Sequence, residues 1–181
     1  YKKKKIKSNF EIVEIDKIAK IYSGSSAPQD QKYFENGKFK FLRVKDLNNK
    51  ENDLFIKKTH DFINEKAIKE RKLIKAKRYS IVFPKSGMSI LGNKRAIIND
   101  DETYIVNHLA IIEPDLKKID FRFLYFVLTK IDMAEFSNRA TLPSLNLSAI
   151  KKINIPLPSL DEQCEIVEKL ERKREIISES N

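Results

Sequence analysis

The amino-acid sequence predicts an α+β fold: a single globular domain with a mixed β-sheet and flanking helices over residues 1–158, followed by a protruding, coiled-coil-like helix over residues 159–181. Two observations predict the domain. Short β-rich segments bounded by turn residues are interspersed with helix-forming segments. Hydrophobic side chains make up 41% of the 181 residues, which is enough to bury a core. A change from basic to acidic sequence, together with a helical hydrophobic period, predicts the terminal helix.

The elements of the first half follow from local pattern. The segment FEIVEIDKIAKIYSGSSAP predicts a short turn of helix, then a strand, then a loop from Ser23 to Asn36. In KFKFLRVKDL, basic residues alternate with Phe and Val, which is typical of a half-buried strand. Residues 62–78 combine many charges with helix-forming residues, and they favour a helix.

The second half continues the mixture of strands and helices. YSIVFPKSGMSI predicts a strand interrupted by a turn at Pro84 to Gly87. KRAIIND and TYIVNHLAIIEP predict two further strands, and residues 121–136 have the length and apolar density of a buried helix. Asn146 can cap a short helix. Pro156 and Pro158 then predict a strand at a sheet edge, because proline cannot donate to a β-ladder.

A new helix is predicted to begin at residue 160. Ser159 and Glu162 match the S-x-x-E capping box, in which the hydroxyl and the carboxylate satisfy backbone N–H groups at the helix start. The heptad pattern predicts the start of a coiled coil; a surface helix lying on its own domain is the alternative. The a and d positions of this helix are Leu160, Gln163, Val167, Leu170, Arg174 and Ile177.

Charge divides the chain into the same two regions. The net charge is +10, yet residues 160–181 carry seven acidic and four basic side chains, so everything before them has a net charge of +13. A basic body indicates a polyanionic partner, most often nucleic acid, although a lysine-rich surface also occurs without one. No run approaches the roughly 18 apolar residues that span a bilayer, and with a single cysteine the default location is the reducing cytoplasm.

Catalytic and cofactor motifs are missing from the sequence. The four glycines form neither a dinucleotide-binding motif nor a P-loop. His60 and His108 lack carboxylates at metal-ligand spacing, and Cys164 on the terminal helix is better explained by packing than by nucleophilic catalysis. We therefore expect no catalytic residue, no metal and no cofactor. The alternative from another class is a metal-dependent nuclease using Asp61, Glu70 and Lys72, a spacing that arises readily by chance.

The whole series of segments resembles the specificity subunit of Type I restriction-modification enzymes, specifically one target-recognition domain and the beginning of its spacer helix. The most specific segment is SLNLSAIKKINIPLPSLDEQCEIVEKL. The supporting segments, in order along the chain, are KIAKIYSGSSAP, FLRVKDL, IVFPKSGMSI and IVNHLAIIEP. The resemblance identifies residues 1–158 as a DNA target-recognition domain and residues 159–181 as the start of the spacer.

The resemblance implies a noncatalytic protein that binds double-stranded DNA. In that family two recognition domains, separated by antiparallel helices, each read one half of a bipartite site. The helices bind the methyltransferase subunits and, through them, the restriction subunits. Two arrangements stay open for this chain: a second recognition domain in the same polypeptide, or a homodimer through the spacer helix. The alternative within the same class is the recognition domain of a fused Type IIG restriction enzyme.

Candidate DNA contacts lie in three polar segments. The segment around Gly87 offers backbone N–H groups and hydroxyls to a phosphate, and Arg95 beyond it is the side-chain type best suited to reading guanine. The candidates are Ser25, Ser26, Lys85, Ser86, Gly87, Ser89, Asn93, Lys94, Arg95, Arg139 and Thr141. Lys2 to Lys5 are expected to add unspecific charge. On the spacer helix, the candidate partner contacts are Leu160, Val167, Leu170 and Ile177.

Overall fold

The computed structural model describes residues 10–138 and 141–179, with side chains up to residue 176 at the C-terminal end. The strands are β1 (Glu11–Glu14), β2 (Ala19–Ser23), β3 (Phe39–Leu42), β4 (Phe55–Ile56), β5 (Asp61–Ile63), β6 (Ile81–Pro84), β7 (Ala96–Ile98), β8 (Thr103–Ile105), β9 (Leu109–Pro114) and β10 (Asn154–Leu157). The α-helices are α1 (Glu65–Arg71), α2 (Phe121–Thr129), α3 (Leu147–Lys151) and α4 (Leu160–Glu179). This arrangement confirms the predicted α+β class.

A five-stranded sheet in the order β2-β9-β6-β7-β4 separates two hydrophobic clusters. Successive side chains of a strand point to opposite faces. Along β6, Ile81 and Phe83 pack into one cluster and Val82 into the other; along β9, Ile112 and Ile111 divide in the same way. Because both faces are covered, these strands are continuous apolar runs rather than alternating ones.

Different layers cover the two faces of this sheet. One cluster includes Leu124 of α2, Ile150 of α3 and Val167 of α4, so these three helices lie on that side. The other cluster includes Phe41 of β3 and Ala67 of α1, so it is closed by α1 and a three-stranded sheet in the order β5-β3-β8. The strand pair β1-β10 is separate from both sheets and antiparallel.

Three segments differ from the sequence-based expectation. The predicted turn of helix in FEIVEID is reduced to the 3-10 turn Ile15–Lys17, and Glu11–Glu14 form β1 because β10 pairs with them. Within residues 62–78, the helix is limited to α1, because β5 occupies the beginning and Lys72 adopts a left-handed conformation. Helix α2 ends at Thr129, and Met133–Phe136 form a separate 3-10 helix.

The start of α4 matches the prediction in detail. The Ser159 backbone N–H donates to Glu162 at 2.9 Å, and the Glu162 N–H donates to the Ser159 hydroxyl at 3.4 Å, which completes the capping box. Asn146 caps α3 as predicted, accepting from the N–H groups of Ser148 and Ala149. In the described residues, no helix is long and apolar enough to cross a membrane.

Candidate nucleic-acid interface

Strand directions bring several loops to one end of the molecule. In the five-stranded sheet, β2 and β6 end where β9 begins, since Ser23 pairs with Ala110 and Pro84 with Leu109. In the three-stranded sheet, parallel β3 and β8 end where β5 begins. The short β8–β9 connection joins these two ends. We call this region the loop end; it comprises residues 24–31, 43–46, 58–61, 85–89, 106–108 and 141–145.

The first loop is attached to the β8–β9 connection at Gly24 and Ser25. A Cβ atom at Gly24 would lie 2.1 Å from the Ile105 carbonyl oxygen, so only glycine permits this close approach. Ser25 donates its N–H to the Ile105 carbonyl and accepts from the Asn107 N–H at 2.8 Å. The Ser25 hydroxyl also accepts from a backbone N–H, that of Ile74. Ser25 therefore positions the loop, whereas the adjacent Ser26 is exposed.

Residues 85–89 lie against two other segments of the loop end. The Lys85 N–H donates to the His108 carbonyl at 2.8 Å, and the Ser86 hydroxyl forms a 2.6 Å hydrogen bond with His108 Nδ1. The N–H of Gly87, whose φ is +78°, donates to the Pro143 carbonyl at 2.8 Å. This N–H group is therefore not available to a phosphate, a contact that the sequence had suggested. The structure thus brings two predicted segments, around Gly87 and Thr141, together with the β8–β9 connection, which was not predicted as a DNA contact.

Arg95 is the candidate that the structure contradicts. Its side chain is buried, with 6% exposed, and its guanidinium donates to the carbonyls of Leu128 and Ile131 and to Asn93. Burial lowers the pKa of Arg95. Asn93 has a structural role beside it, donating to the Ile131 carbonyl at 3.2 Å. Arg95 therefore connects strand β7 to the end of α2 and is unavailable to a base edge.

The other predicted contacts divide into exposed and undescribed residues. Lys94 is exposed at the end of the β6–β7 connection, and Thr141 is exposed beside Leu142, of which 74% is accessible. Ser89 is half-buried and donates to the Ser86 carbonyl at 3.2 Å, which again indicates a role in loop shape. Arg139 and Lys2 to Lys5 lie outside the described residues.

Sequence reasoning missed four polar residues of the loop end: Arg43, His60, Asn107 and His108. Arg43 directly follows β3, and Asn107 follows β8, whose residue Ile105 pairs with Leu42 in parallel register. His60 directly precedes β5, and Asp61 pairs with Phe41. The signal that could have found them is position, because each lies within two residues of a strand boundary; recognising it requires the register between strands.

Comparisons with known proteins agree with this architecture. A family model described as the Type I restriction modification DNA specificity domain matches residues 7–179. The chain belongs to this family. The chain is also 35% identical, over 161 residues, to the Type I restriction enzyme MjaIX specificity subunit of Methanocaldococcus jannaschii. That alignment covers 86% of this chain but 35% of the relative, so the chain spans about a third of the curated relative's length.

Solved structures share the fold at lower identity. One match is a structure that describes the basis of complex assembly and conformational transition of the type I R-M system. Its TM-score is 0.72 at 17% identity, and the match covers 96% of this chain and 40% of that one. The HsdS subunit from Thermoanaerobacter tengcongensis matches with a TM-score of 0.68 and 15% identity, covering 98% of this chain and 40% of that one. Specificity subunits are noncatalytic, and other subunits carry out catalysis.

The residues of the nuclease hypothesis have different partners in the structure. The Asp61 carboxylate pairs with the Arg43 guanidinium, whereas the Glu70 carboxylate accepts from the Tyr33 hydroxyl at 2.8 Å. Lys72 ends α1 in a left-handed conformation. Among the residues that the structure describes, no three His, Cys, Asp or Glu side chains are grouped so that they could hold a metal ion.

The predicted partner-binding residues of α4 have different environments. Val167 is fully buried against its own domain, which corrects its assignment as a partner contact, and Gln163 beside it is equally buried. Leu160 is 40% exposed, and half-buried Leu170 lines an open apolar groove between α2 and α4. The side chain of Ile177 lies outside the described residues. The a and d face of this helix therefore packs on the chain's own domain at Gln163 and Val167.

Proposed function

We propose that this chain reads one half of a bipartite DNA site for a Type I restriction-modification enzyme, and that its loop end contacts the duplex. Residues 1–158 form the target-recognition domain, and residues 159–181 begin the spacer helix. The observation that carries the proposal is the convergence of several polar loops on one end of a basic domain of this family. Membership of a Type I family favours this arrangement over a fused Type IIG enzyme.

Exposed basic and hydroxyl side chains support the choice of the loop end. Ser26 and Thr141 are exposed and Lys85 is half-buried, and the loop that carries Thr141 contacts residues 85–87. Lys94, outside the loop end, is exposed later in the same β6–β7 connection. Lysine contacts to phosphates supply sequence-independent affinity, whereas base edges supply specificity. The same domain can therefore provide both affinity and specificity. A change of target sequence then needs new loop residues and no change in the core.

The helix side of the molecule is the proposed surface for partners. The groove between α2 and α4 has a volume of about 450 Å³ and is lined by Phe126, Ile166 and Leu170. We propose that another helix occupies it, either from a second recognition domain or from a second copy of the chain. Methyltransferase subunits, and through them restriction subunits, then assemble on the spacer, in the cytoplasm where the cell's DNA lies.

In vitro selection from random duplex DNA tests the proposed function. The purified chain is used with and without the modification subunit of its own system. Enrichment of a defined short half-site, with the subunit or without it, supports a recognition module. Salt-sensitive binding without any enriched sequence would show that the basic charge acts only nonspecifically, and an absence of binding under both conditions would overturn the DNA proposal.

Salt dependence locates the phosphate contacts. Lys85→Ala should weaken binding to all duplexes alike and reduce the slope of log affinity against log salt by about one, since each phosphate contact releases roughly 0.9 counterion. Lys117→Ala is the matched control, because Lys117 is exposed beyond the opposite end of β9. Equal slope changes in the two variants would argue against the loop end as the DNA-binding surface.

A further inference from the structure

A polar cleft at the loop end has a single arginine in its lining. The cleft has a volume of about 630 Å³ and lies between the first loop and the β3–β5 edge. Its lining includes two glutamines, one histidine and one arginine: Gln29, Gln31, His60 and Arg43. These are side-chain types that hydrogen-bond to base edges in the major groove. Sequence reasoning proposed the loop that carries both glutamines as a candidate DNA contact, but it assigned neither Arg43 nor His60 to DNA.

Arg43 is held in a fixed orientation, but the terminal nitrogens of its guanidinium are not used in hydrogen bonds within the described part of the chain. Its guanidinium carbon lies 5.3 Å from the centre of the Phe41 ring and 6.0 Å from that of Phe34. Its Nε donates to the Asp61 carboxylate. Among the described residues, none accepts a hydrogen bond from its two terminal nitrogens, and 32% of the side chain is exposed. The two nitrogens that form a bidentate fork are therefore available.

Buried polar residues fix the backbone around this arginine. Asp46 is fully buried, and its carboxylate accepts from the Arg43 N–H at 2.8 Å and from the His60 N–H at 3.1 Å. The His60 ring donates to the same carboxylate at 2.5 Å. Asn52, also buried, links the Asp46 carbonyl to the backbone of Lys58. The loop that carries Arg43 is thus joined to the loop that carries His60 through satisfied hydrogen bonds, which preorganises the cleft.

We propose that Arg43 reads a guanine of the half-site in the major groove, and that Asp61 and Asp46 position it for this contact. The inference rests on the proposed function of the chain. A guanidinium fork matches guanine O6 and N7, and the neighbouring carboxylate holds the fork in plane through Nε. Arg95, which the sequence favoured for this role, is buried, whereas Arg43 combines a free fork, partial exposure and a rigid backbone.

A base-analogue cycle tests the assignment. The wild-type chain, with its modification subunit, first selects its half-site from random duplexes. Each guanine of that site is then replaced in turn by 7-deazaguanine, which lacks the N7 acceptor. One replacement should weaken wild-type binding by roughly 10-fold, the effect of one charge-assisted hydrogen bond, and should leave Arg43→Ala unaffected.

Two further variants separate a base contact from general charge. Arg43→Lys keeps the charge but lacks the fork, so it should lose the same guanine preference as Arg43→Ala, by roughly 10- to 100-fold. Lys45→Ala, an exposed neighbour in the same loop, should keep the preference. Urea unfolding and low-salt binding to unrelated DNA show whether each variant is folded.

The outcomes distinguish this inference from the proposed function. If the wild-type chain enriches no sequence, the proposed function itself fails. If a half-site is enriched but contains no G·C pair, or if Arg43→Ala is as sensitive as wild type to 7-deazaguanine at every position, the proposed function stands and the assignment of Arg43 is overturned.

Discussion

The loop end and the helix side of this molecule are stabilised in different ways. At the loop end, Ser25 and Asp46 bond to the backbone of neighbouring loops, and Asn52, just outside it, bonds to the Asp46 carbonyl. The side chains of Asp46 and Asn52 are fully or almost fully buried. On the helix side, Val167 and Leu124 pack in the apolar cluster, and Gln163 is the buried polar residue between α4 and the domain. Hydrogen bonds therefore determine loop shape at one end, and apolar burial determines helix position on the other side.

This difference separates recognition from stability. Side chains that point outward from the loop end contribute little to the core, so exchanging them alters what the loops contact while the domain stays folded. Residues beneath those loops, and residues under α4, affect folding when they change. Substitutions in the two regions test this separation, from the largest expected effect to the smallest.

Gly24→Ala is expected to have the largest effect, because its Cβ would overlap two backbone carbonyl oxygens at 2.1 and 2.4 Å. We expect a loss of about 4 kcal/mol or more in the free energy of unfolding, measured by urea denaturation. Gly92→Ala is the control, since the atom nearest to its added Cβ would be a side-chain carbon of Lys94 at 3.8 Å. Similar midpoints for the two variants would contradict the close approach of the first loop to β8.

Gln163→Ala tests the attachment of α4. Its side chain accepts from the Asp120 N–H and donates to the Pro158 carbonyl, both at 2.8 Å, so truncation leaves buried backbone groups unpaired. The expected loss is about 2–3 kcal/mol. Glu165→Ala, on the exposed face of the same helix, should change stability by less than about 0.5 kcal/mol. A neutral Gln163→Ala would indicate that α4 is not bound to the domain in solution.

Arg95→Ala should reduce stability and leave base preference intact. The substitution removes the donors that Leu128 and Ile131 carbonyls use, at an expected cost of about 2 kcal/mol. Urea unfolding and a base-substitution panel on the selected half-site measure the two properties. A relaxed base preference at unchanged stability would return Arg95 to the DNA interface.

Glu113→Gln tests an ion pair on the end of β9 opposite to the loop end. Burial alone would raise the pKa of Glu113, but hydrogen bonds from Lys77 at 2.6 Å and Tyr22 at 3.0 Å outweigh it, so the pKa lies below its usual value of 4.5. The carboxylate therefore stabilises the fold above about pH 4.5, and this contribution is lost as the pH falls through the lower folded-state pKa.

The expected difference between wild type and Glu113→Gln is about 1 kcal/mol at neutral pH, shrinking as the pH falls below 4.5. Chemical unfolding at a series of pH values measures it. Glu102→Gln, a substitution at an exposed position, is the control and should change stability by less than about 0.5 kcal/mol. A difference that grows toward low pH would have the wrong sign for a carboxylate stabilised in its ionised form.

Local signals were sufficient for some elements of this fold. Ser159 and Glu162 determine where α4 begins, and Asn146 determines where α3 begins, because each satisfies backbone groups within its own turn. Pro156 lies in an edge strand, as its missing N–H requires. In contrast, residues 11–14 form a strand because β10 lies beside them, and no feature within those residues specifies that partner.

The candidate site shows the same limit. Sequence reasoning proposed the segments around Ser26, Lys85 and Thr141, since Gly, Ser and Lys in turns indicate exposed polar loops. It assigned Arg95 to DNA and overlooked Arg43, although both are arginines beside β-strands. The first is buried under α2 and the second lies at the edge of a cleft. Both arginines are the same residue type at a similar position beside a strand. Residue type and spacing therefore do not indicate which side chain is buried under another element.

The sequence by itself therefore determined the α+β class, the helix caps, the division between a basic domain and an acidic helix, and the family to which the chain is similar. These properties depend on short-range hydrogen bonding, residue type and residue order. The tertiary structure decided which loops meet, which arginine is exposed and which face of α4 packs on the domain. Those outcomes depend on strand register and helix docking, which arise from contacts between residues far apart in the chain.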